Sequence, residues 1–389
     1  MTAVPDEAPL EVALDVSAVP ARPAGAGRYV VELARALADR GDVGLTLLAR
    51  RDDASRWEQL APRGRVAAVV PSSRPTRLVY EQLRLGPVVA SLTDPPVQVH
   101  HGPHYTMPRR SKVPCVVTVH DLTFFDHGEW HEQRKVAWFR AAIRRSAIHA
   151  AAIICVSETT AGRLQEVVSP ACPVVVVPHG VDHSRFTTEE PSPGADREVL
   201  GRLGLERPYV LHLGTLEPRK GIADLVSAFG RVAGEQPGLE LVLAGGEGWK
   251  GGPIMEAMAA SPAAGRIRRL GYVSDSDVPA LLRSARLVAY PSREEGFGLP
   301  ALEALACGAP LVTTSGTSMA AIAGKSAVLV PPGEPAALAR AIEALISGEG
   351  TSEAVERRNS GLDTAAKYTW AACAEAHLAV YRLAAGQGR

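Results

Sequence analysis

The sequence predicts an α/β protein with parallel sheets, divided into two domains. Three observations predict it. Residues 285–314 read as strand, loop, short helix, strand: the apolar run Ala285–Tyr290 ends at Pro291, a helix follows, and Leu311–Thr314 is apolar again. A helix crossing between two apolar strands is the right-handed βαβ unit of a parallel sheet. The pattern of strand, glycine turn and helix recurs at residues 10–37 and 209–232. Finally, 389 residues suit two domains better than one, and Thr187–Asp196 (Thr-Thr-Glu-Glu-Pro-Ser-Pro-Gly-Ala-Asp) has the composition of a linker or surface loop. The boundary is therefore expected near residue 188.

Composition narrows the function classes. Apolar residues make up 46% and charged residues 22% of the chain, as in an ordinary soluble globular protein. Formal charge is zero, so the molecule as a whole exerts no pull on nucleic acid, and any anion binding must be local. The five cysteines (Cys115, Cys155, Cys172, Cys307, Cys373) show no metal-ligand spacing, and several lie in apolar runs, which predicts free thiols in a reducing, cytoplasmic compartment. The opening Met-Thr-Ala-Val-Pro-Asp-Glu lacks the apolar core of a signal peptide. No stretch reaches the roughly 18 uninterrupted apolar residues that a membrane span needs.

In chain order, Leu10–Val16 is the first strand, and Gly25-Ala26-Gly27 precedes a helix from Arg28 to Leu37. A glycine turn before a helix N-terminus is either an anion site or a tight turn and nothing more. It is not the dinucleotide fingerprint, because the third glycine position holds Val30, and Arg50-Arg51 after the next apolar run offers no ribose-binding acid. A nicotinamide oxidoreductase is thereby excluded. Val116–Val119 is a strand ending in His120-Asp121, at the end of a parallel strand where chemistry collects; the alternative is a structural pair in which Asp121 caps the next turn. His131–Arg145 is a basic helix containing Trp138 and Phe139, either a face for anionic lipid or an ordinary amphipathic helix whose arginine stems cover the core edge. Ala151–Val156 is a strand closed by the cap residue Ser157, and Val174–Val177 is a strand closed by Pro178-His179-Gly180.

In the second half, strand Tyr209–Leu213 leads to Gly214-Thr215-Leu216-Glu217-Pro218-Arg219-Lys220-Gly221 and a helix from Ile222. Two adjacent cations before a helix N-terminus suit a diphosphate; the alternative is a solvated basic turn. Leu239–Leu243 and Ile267–Val273 follow as strands. Ser274-Asp275-Ser276-Asp277 formally contains D-x-D but reads as a helix cap and acidic first turn. Next comes Arg293-Glu294-Glu295-Gly296-Phe297-Gly298-Leu299-Pro300-Ala301-Leu302-Glu303. Pro300 suits the first helical turn and Gly308 the left-handed position past the helix end. Glu295 then stands at the strand mouth and Glu303 about one turn into the helix. Gly296 and Gly298 admit close backbone approach, so two carboxylates could grip a polyhydroxyl ligand. Without a ligand, this is a helix start with favourable acidic residues. Trp370–Ala384 is a final helix with Trp370, Cys373, His377, Leu378 and Tyr381 along one face.

The spacing Glu295-x7-Glu303 around Gly-Phe-Gly-Leu-Pro resembles the E-x7-E signature of the retaining glycosyltransferases of family four, and Gly214-x4-Arg219-Lys220-Gly221 resembles their phosphate loop. The resemblance spans most of the chain and is strongest from residue 209 to 335. It implies two facing Rossmann-like domains (the GT-B architecture): residues 1–187 on the acceptor side, 188–368 for the nucleotide-sugar donor, and 369–389 as a helix crossing back to the first domain. It implies transfer of a sugar, with GDP-mannose the first candidate donor, to a glycan or lipid-linked acceptor in polysaccharide or glycolipid assembly. No cofactor or metal is implied. A non-catalytic nucleotide-sugar-binding protein on the same fold is the alternative. Carried over residue by residue, His120 and Glu295 are the implied catalytic residues. The implied donor-binding residues are Gly25, Gly27, Gly214, Arg219, Lys220, Tyr272, Val273, Gly296, Phe297, Gly298, Leu299 and Glu303. Two departures stand out: Thr215 where several relatives have Arg, and Ala320-Ala321 where many have Pro-Glu. A lipid-linked acceptor would give the helix at 131–145 a role on the inner face of a membrane.

Overall fold

A computed structural model describes residues 8–248 and 251–387. The opening heptapeptide, read above as no signal peptide, lies outside the described residues. The chain divides into two compact units: Met1–Gly128 with Glu132–Gly180 and Trp370–Arg389, and Glu129–His131 with Val181–Thr369. The division falls at Val181 and not near residue 188. Val181 forms a parallel bridge with Thr369, and its N–H donates to Tyr368 O at 3.1 Å, so the chain enters and leaves the second unit side by side. The Pro-rich stretch at 187–196 is a surface loop of that unit that runs into the helix Ala195–Leu203; Arg283 ties the two together, donating to Thr187 O at 3.3 Å and meeting Asp196 in the helix at 2.6 Å.

The first unit holds a seven-stranded sheet in the order β3-β2-β1-β4-β5-β6-β7. Its strands are β1 (Leu10–Asp15), β2 (Val43–Arg50), β3 (Arg65–Val70), β4 (Val99–Gly102), β5 (Cys115–Val119), β6 (Ala152–Cys155) and β7 (Val174–Val176). All pairings are parallel. Strand order reverses between β1 and β4. Helix Ala26–Ala38 follows β1 and buries Tyr29, Val30, Leu33 and Leu37. The final helix, Trp370–Gln387, packs beside it through Cys373, Leu378 and Tyr381 in one hydrophobic cluster with Val12, Leu14 and Ile154.

The second unit holds a six-stranded parallel sheet in the order β10-β9-β8-β11-β12-β13. Its strands are β8 (Tyr209–Leu213), β9 (Glu240–Ala244), β10 (Ile267–Gly271), β11 (Leu287–Tyr290), β12 (Leu311–Thr314) and β13 (Ala327–Val330). Strand order reverses between β8 and β11, which pair directly in the register Leu287 to Val210. In open α/β sheets the crevice outside the carboxyl ends of strands at such a reversal is where ligands bind. The inner strands β1, β5, β6, β8, β9, β11 and β12 are buried on two faces, which explains why they read as continuous apolar runs instead of alternating ones.

All five cysteines are free. Among the described residues, no helix is long and apolar enough to cross a membrane. The cap read at Ser274–Asp277 takes another form: Asp277 precedes helix Val278–Ser284 without a side-chain cap bond, and its carboxylate instead accepts from Arg202 at 2.6 Å.

Candidate functional site

The mouths of β8 and β11 bring three predicted residues into one cluster. After β8 the chain forms a short 3₁₀ turn, Pro218–Lys220, closed by Gly221 in the left-handed region at φ 65°. A Cβ on Gly221 would run into Pro291 O, so only glycine lets this turn lie against the end of β11. The Arg293 N–H donates to Arg219 O at 2.8 Å and stitches the two loops together. On this frame the Glu295 carboxylate meets the Arg219 guanidinium at 3.1 Å through Oε2 and the Lys220 ammonium through Oε1. The three side chains are 22%, 12% and 10% exposed for Arg219, Lys220 and Glu295.

Electrostatics fixes their charge states. Burial alone would raise the Glu295 carboxyl, but Lys220 and Arg219 outweigh it and hold the group at about 2. Burial pulls the Lys220 ammonium down while Glu295 pulls it up. Neutralising either partner would strand the other in a dry site, so the pair stays ionised. Glu217 accepts from Arg219 Nε at 2.9 Å and orients the guanidinium. Ser318 Oγ donates to Glu295 O at 2.7 Å and fixes the backbone beneath the carboxylate.

The other residues expected in this unit fall around that cluster. Gly298 opens helix Leu299–Ala306 at φ 105°, and a Cβ there would clash with the Met319 side chain. Phe297 and Leu299 are buried, and Glu303 is 3% exposed one turn into the helix. The ends of β8, β9 and β10 form a shelf of glycine backbone: Gly214 N–H donates to Ala244 O at 2.8 Å, and Gly245 N–H to Gly271 O at 2.7 Å. Tyr272 stands out from this edge at 54% exposure while Val273 is buried.

Sequence reasoning missed Gly245, Glu217, Ser318 and His212. The signal for Gly245 was its place at a strand end. His212 was hidden inside a strand: it donates from Nδ1 to Ala289 O at 2.9 Å, and burial pushes it down to about 4. It is thus a neutral ring beneath Gly214.

In the first unit, Gly25 sits at φ 46° with open space where a Cβ would be, and Gly27 is buried against Val19, Pro20 and Pro23. His120 is buried at the end of β5, with Nε2 donating to Pro103 O at 2.7 Å. Its ring lies edge-on to Tyr29 and Tyr105 at 5.2 and 5.6 Å. Burial lowers its pKa against the pull of Pro103 O and Asp121, which makes it neutral near pH 7. Asp121 serves as a turn cap, accepting from Thr123 N and Oγ1 at 3.1 and 2.7 Å.

The basic helix runs from Gln133 to His149. Its cations are largely engaged within the protein. Arg140 donates to Phe124 O, Arg145 donates to Arg109 O, Arg144 lies over the Phe125 ring, and Lys135 pairs with Glu132. A cavity of about 340 Å³ lies at the opposite, amino-terminal edge of the second sheet, by Gly308, Pro310 and Ser326. Four arginines line it, of which Arg283, Arg286 and Arg357 are held by Asp196, Glu349 and Glu353.

Comparison with known proteins agrees with this geometry. Residues 207–348 match the family described as "Glycosyl transferases group 1", and residues 23–185 match "Glycosyltransferase Family 4". The O-antigen chain mannosyltransferase B of Escherichia coli is 30% identical over 287 residues, which cover 73% of this chain and 74% of that protein. The chain belongs to the family-four glycosyltransferases. Among solved structures, sucrose-phosphate synthase from Thermosynechococcus elongatus superposes with a TM-score of 0.75 at 21% identity, covering 96% of this chain and 98% of that one. Anabaena HepE, solved in complex with UDP and glucose, superposes with a TM-score of 0.72 at 20% identity over 95% of this chain and 98% of that one. At these identities the likeness is one of fold: two Rossmann-like α/β domains with parallel sheets, the GT-B architecture.

Proposed function

We propose that this glycosyltransferase is retaining and metal-independent, and that it moves a sugar, mannose first, from a nucleotide-diphosphate sugar to a glycan or lipid-linked acceptor in polysaccharide assembly. The observation that carries the reading is the buried Glu295–Arg219–Lys220 cluster at the strand reversal of the second unit. Arg219 and Lys220 take the diphosphate, stabilising the charge that develops as the sugar–phosphate bond breaks. Electrostatic stabilisation of this kind usually contributes more to catalysis than any other single effect. Glu295 takes sugar hydroxyls and Glu303 the ribose. Gly214, Tyr272 and Val273 line the nucleotide, while the backbone of Gly296, Phe297, Gly298 and Leu299 faces the sugar. Gly25 and Gly27 are assigned to the diphosphate, and His120 to the transferred sugar, by family resemblance.

Retention follows most simply from attack on the same face. The C1–O bond to the diphosphate breaks, the acceptor oxygen bonds to C1 on that face, and the acceptor proton passes to the departing phosphate oxygen. GDP-mannose is the first donor to test because the Escherichia coli relative is named a mannosyltransferase. For a lipid-linked acceptor, helix Gln133–His149 offers exposed Trp138, Ile148 and Arg134 to a membrane surface.

The test is a thermal-shift series with GDP, UDP, ADP and dTDP, alone and as sugar conjugates. A ligand that binds the folded state raises the midpoint by mass action. A shift selective for one nucleotide and lost in Lys220→Ala establishes the diphosphate site and names the donor class. No shift with any of the four overturns the assignment of Arg219 and Lys220.

A further inference from the structure

Three arginines of the first unit converge on one loop. The loop after β1, residues 16–25, leads into the glycine turn and helix Ala26–Ala38. Arg50 Nη1 donates to Ser17 O at 2.9 Å and to Val19 O at 3.2 Å. Arg77 Nη1 donates to the same Ser17 O at 2.9 Å, and Arg56 Nη1 to Pro20 O at 2.7 Å. Each guanidinium is itself fixed. Asp53 pairs with both Arg50 and Arg56 at 3.1 Å. Glu81 pairs with Arg77 at 3.1 Å and accepts from Ser17 Oγ at 3.1 Å. The arginine side chains are only 16%, 23% and 14% exposed for Arg50, Arg56 and Arg77. Buried arginine is normally paired with a carboxylate, as each is here, which leaves further N–H groups for a second task, holding the loop carbonyls.

That task is visible in the peptide planes. In a trans peptide the C=O and the following N–H point in opposite directions. With the carbonyls of Ser17 and Pro20 drawn onto the guanidiniums, the N–H groups of Ala18 and Ala21 point away from them. Among the described residues, neither N–H has a backbone or side-chain acceptor. Val19 and Pro20, whose carbonyls are held, are also two of the residues on which Gly27 rests.

We infer that Arg50, Arg56 and Arg77 are positioning residues that strap down the β1 loop, so that the Ala18 and Ala21 amides stand ready for the phosphate groups assigned to the Gly25–Gly27 turn. The inference rests on that assignment, and it adds two backbone donors and three preorganising side chains to it. Presetting donors in this way removes the ordering cost of binding and strengthens interaction with charge that develops in the transition state.

Two measurements test it. Inorganic pyrophosphate is titrated into ¹⁵N-labelled protein carrying Lys220→Ala, which removes the second unit's main phosphate ligand. The expected result is movement of the Ala18, Ala21 and Gly27 amide signals, weakened about tenfold when Arg77→Ala or Arg56→Ala is added, the scale of one or two preset hydrogen bonds to an anion. Donor kinetics in the chain that keeps Lys220 then separate roles: Arg56→Ala lowers kcat about tenfold with acceptor KM unchanged, and Arg56→Lys recovers most of it. If the amides respond equally with and without the arginines, the strap has no positioning role. Amides silent to pyrophosphate in both proteins overturn the donor set itself. Transfer absent from the native enzyme, with the amide responses intact, faults the transferase reading and leaves the strap standing. Arg56 is the decisive position because Arg77→Ala also strands Glu81 and can unfold the unit.

Discussion

Replacing Glu295 with Gln removes the one carboxylate shared by Arg219 and Lys220. Its folded value of about 2 lies about 2.5 below the 4.5 of the free side chain, and at roughly 1.4 kcal/mol per tenfold change in proton affinity the site, with burial opposing and Lys220 and Arg219 favouring the charge, stabilises the ionised form by a net of about 3 kcal/mol. The carboxylate is 10% exposed, so solvent screening takes little from that figure. For a unit of this size, each kcal/mol moves the midpoint by roughly 2–4 °C, which predicts a fall of about 6–12 °C for Glu295→Gln. The sign with pH is fixed. A carboxyl whose folded pKa is depressed contributes stability above its unfolded pKa and loses it as pH falls through the folded one. The gap between native and variant should thus be full above about pH 4.5 and close toward pH 2. Nucleoside diphosphate should then stabilise the variant more than the native protein, because the anion no longer competes with the Glu295 carboxylate for Lys220 and Arg219. Differential scanning calorimetry across pH, with and without nucleotide, reads all three. Equal midpoints for the two proteins at pH 7, or a variant that loses nucleotide binding as Lys220→Ala is expected to, would refute the shared-cation picture.

Gly221→Ala should destabilise the second unit by more than about 1 kcal/mol and weaken nucleotide binding together, since a Cβ at φ 65° meets Pro291 O. Chemical denaturation and thermal shift measure the two, and a loss of neither sinks the stitched-loop account. Ser318→Ala should cost about 1 kcal/mol and lower kcat while leaving nucleotide affinity near normal, because it frees the Glu295 backbone and not the cations. In the first unit, Tyr29 bonds to His377 Nε2 at 2.8 Å and Thr118 Oγ1 at 2.9 Å, and His377→Ala should destabilise by about 2–4 kcal/mol in urea. Burial pushes His104 down to about 3 and His377 to about 4. Their unfolded forms take up protons first as pH falls below 6.5, so stability should drop between about pH 6 and 4, by roughly 1.4 kcal/mol per pH unit for each ring. A flat profile over that range would show that these histidines are not held neutral.

Much of the architecture was legible because parallel strands buried on both faces write themselves as apolar runs, as at β1, β5, β6, β8, β9, β11 and β12, whereas β3, part-exposed, and β4, which holds two histidines, were not predicted. The location of Arg219, Lys220 and Glu295 at strand mouths was readable for the same reason. Their mutual contact was not. It depends on β8 lying beside β11, with β9 and β10 built outward on the other side, and strand order is a non-local property that residue spacing does not carry. Nor could spacing reveal that the cations of the basic helix are spent on carbonyls and rings: Arg140 reaches back to Phe124 O, a partner visible only once the chain has folded. Pro and Ser near residue 188 mark a loop, whereas the second unit opens at Val181, where the chain bridges to Thr369, a pairing between distant positions that composition does not carry.

The pairing changes how the two halves of the motif act on the donor reading. Sequence assigned Arg219 and Lys220 to the diphosphate and Glu295 to sugar hydroxyls, as though they were independent contacts. With the carboxylate resting on both cations, diphosphate binding under the proposed assignment would be an exchange of one anion for another. Two buried cations would be costly to leave unpaired, and on that assignment they would be neutralised both before the donor arrives and while it is bound. The Glu295 carboxylate gives up part of its hold on Lys220 and Arg219 as the phosphates take them, which leaves its oxygens with acceptor capacity for hydroxyl groups at the moment the sugar is delivered. Departure of the nucleotide returns the carboxylate to the cations, which favours product release over retention of the diphosphate. On the proposed assignment, one buried triad would in this way bind the leaving group, orient the sugar and reset the site.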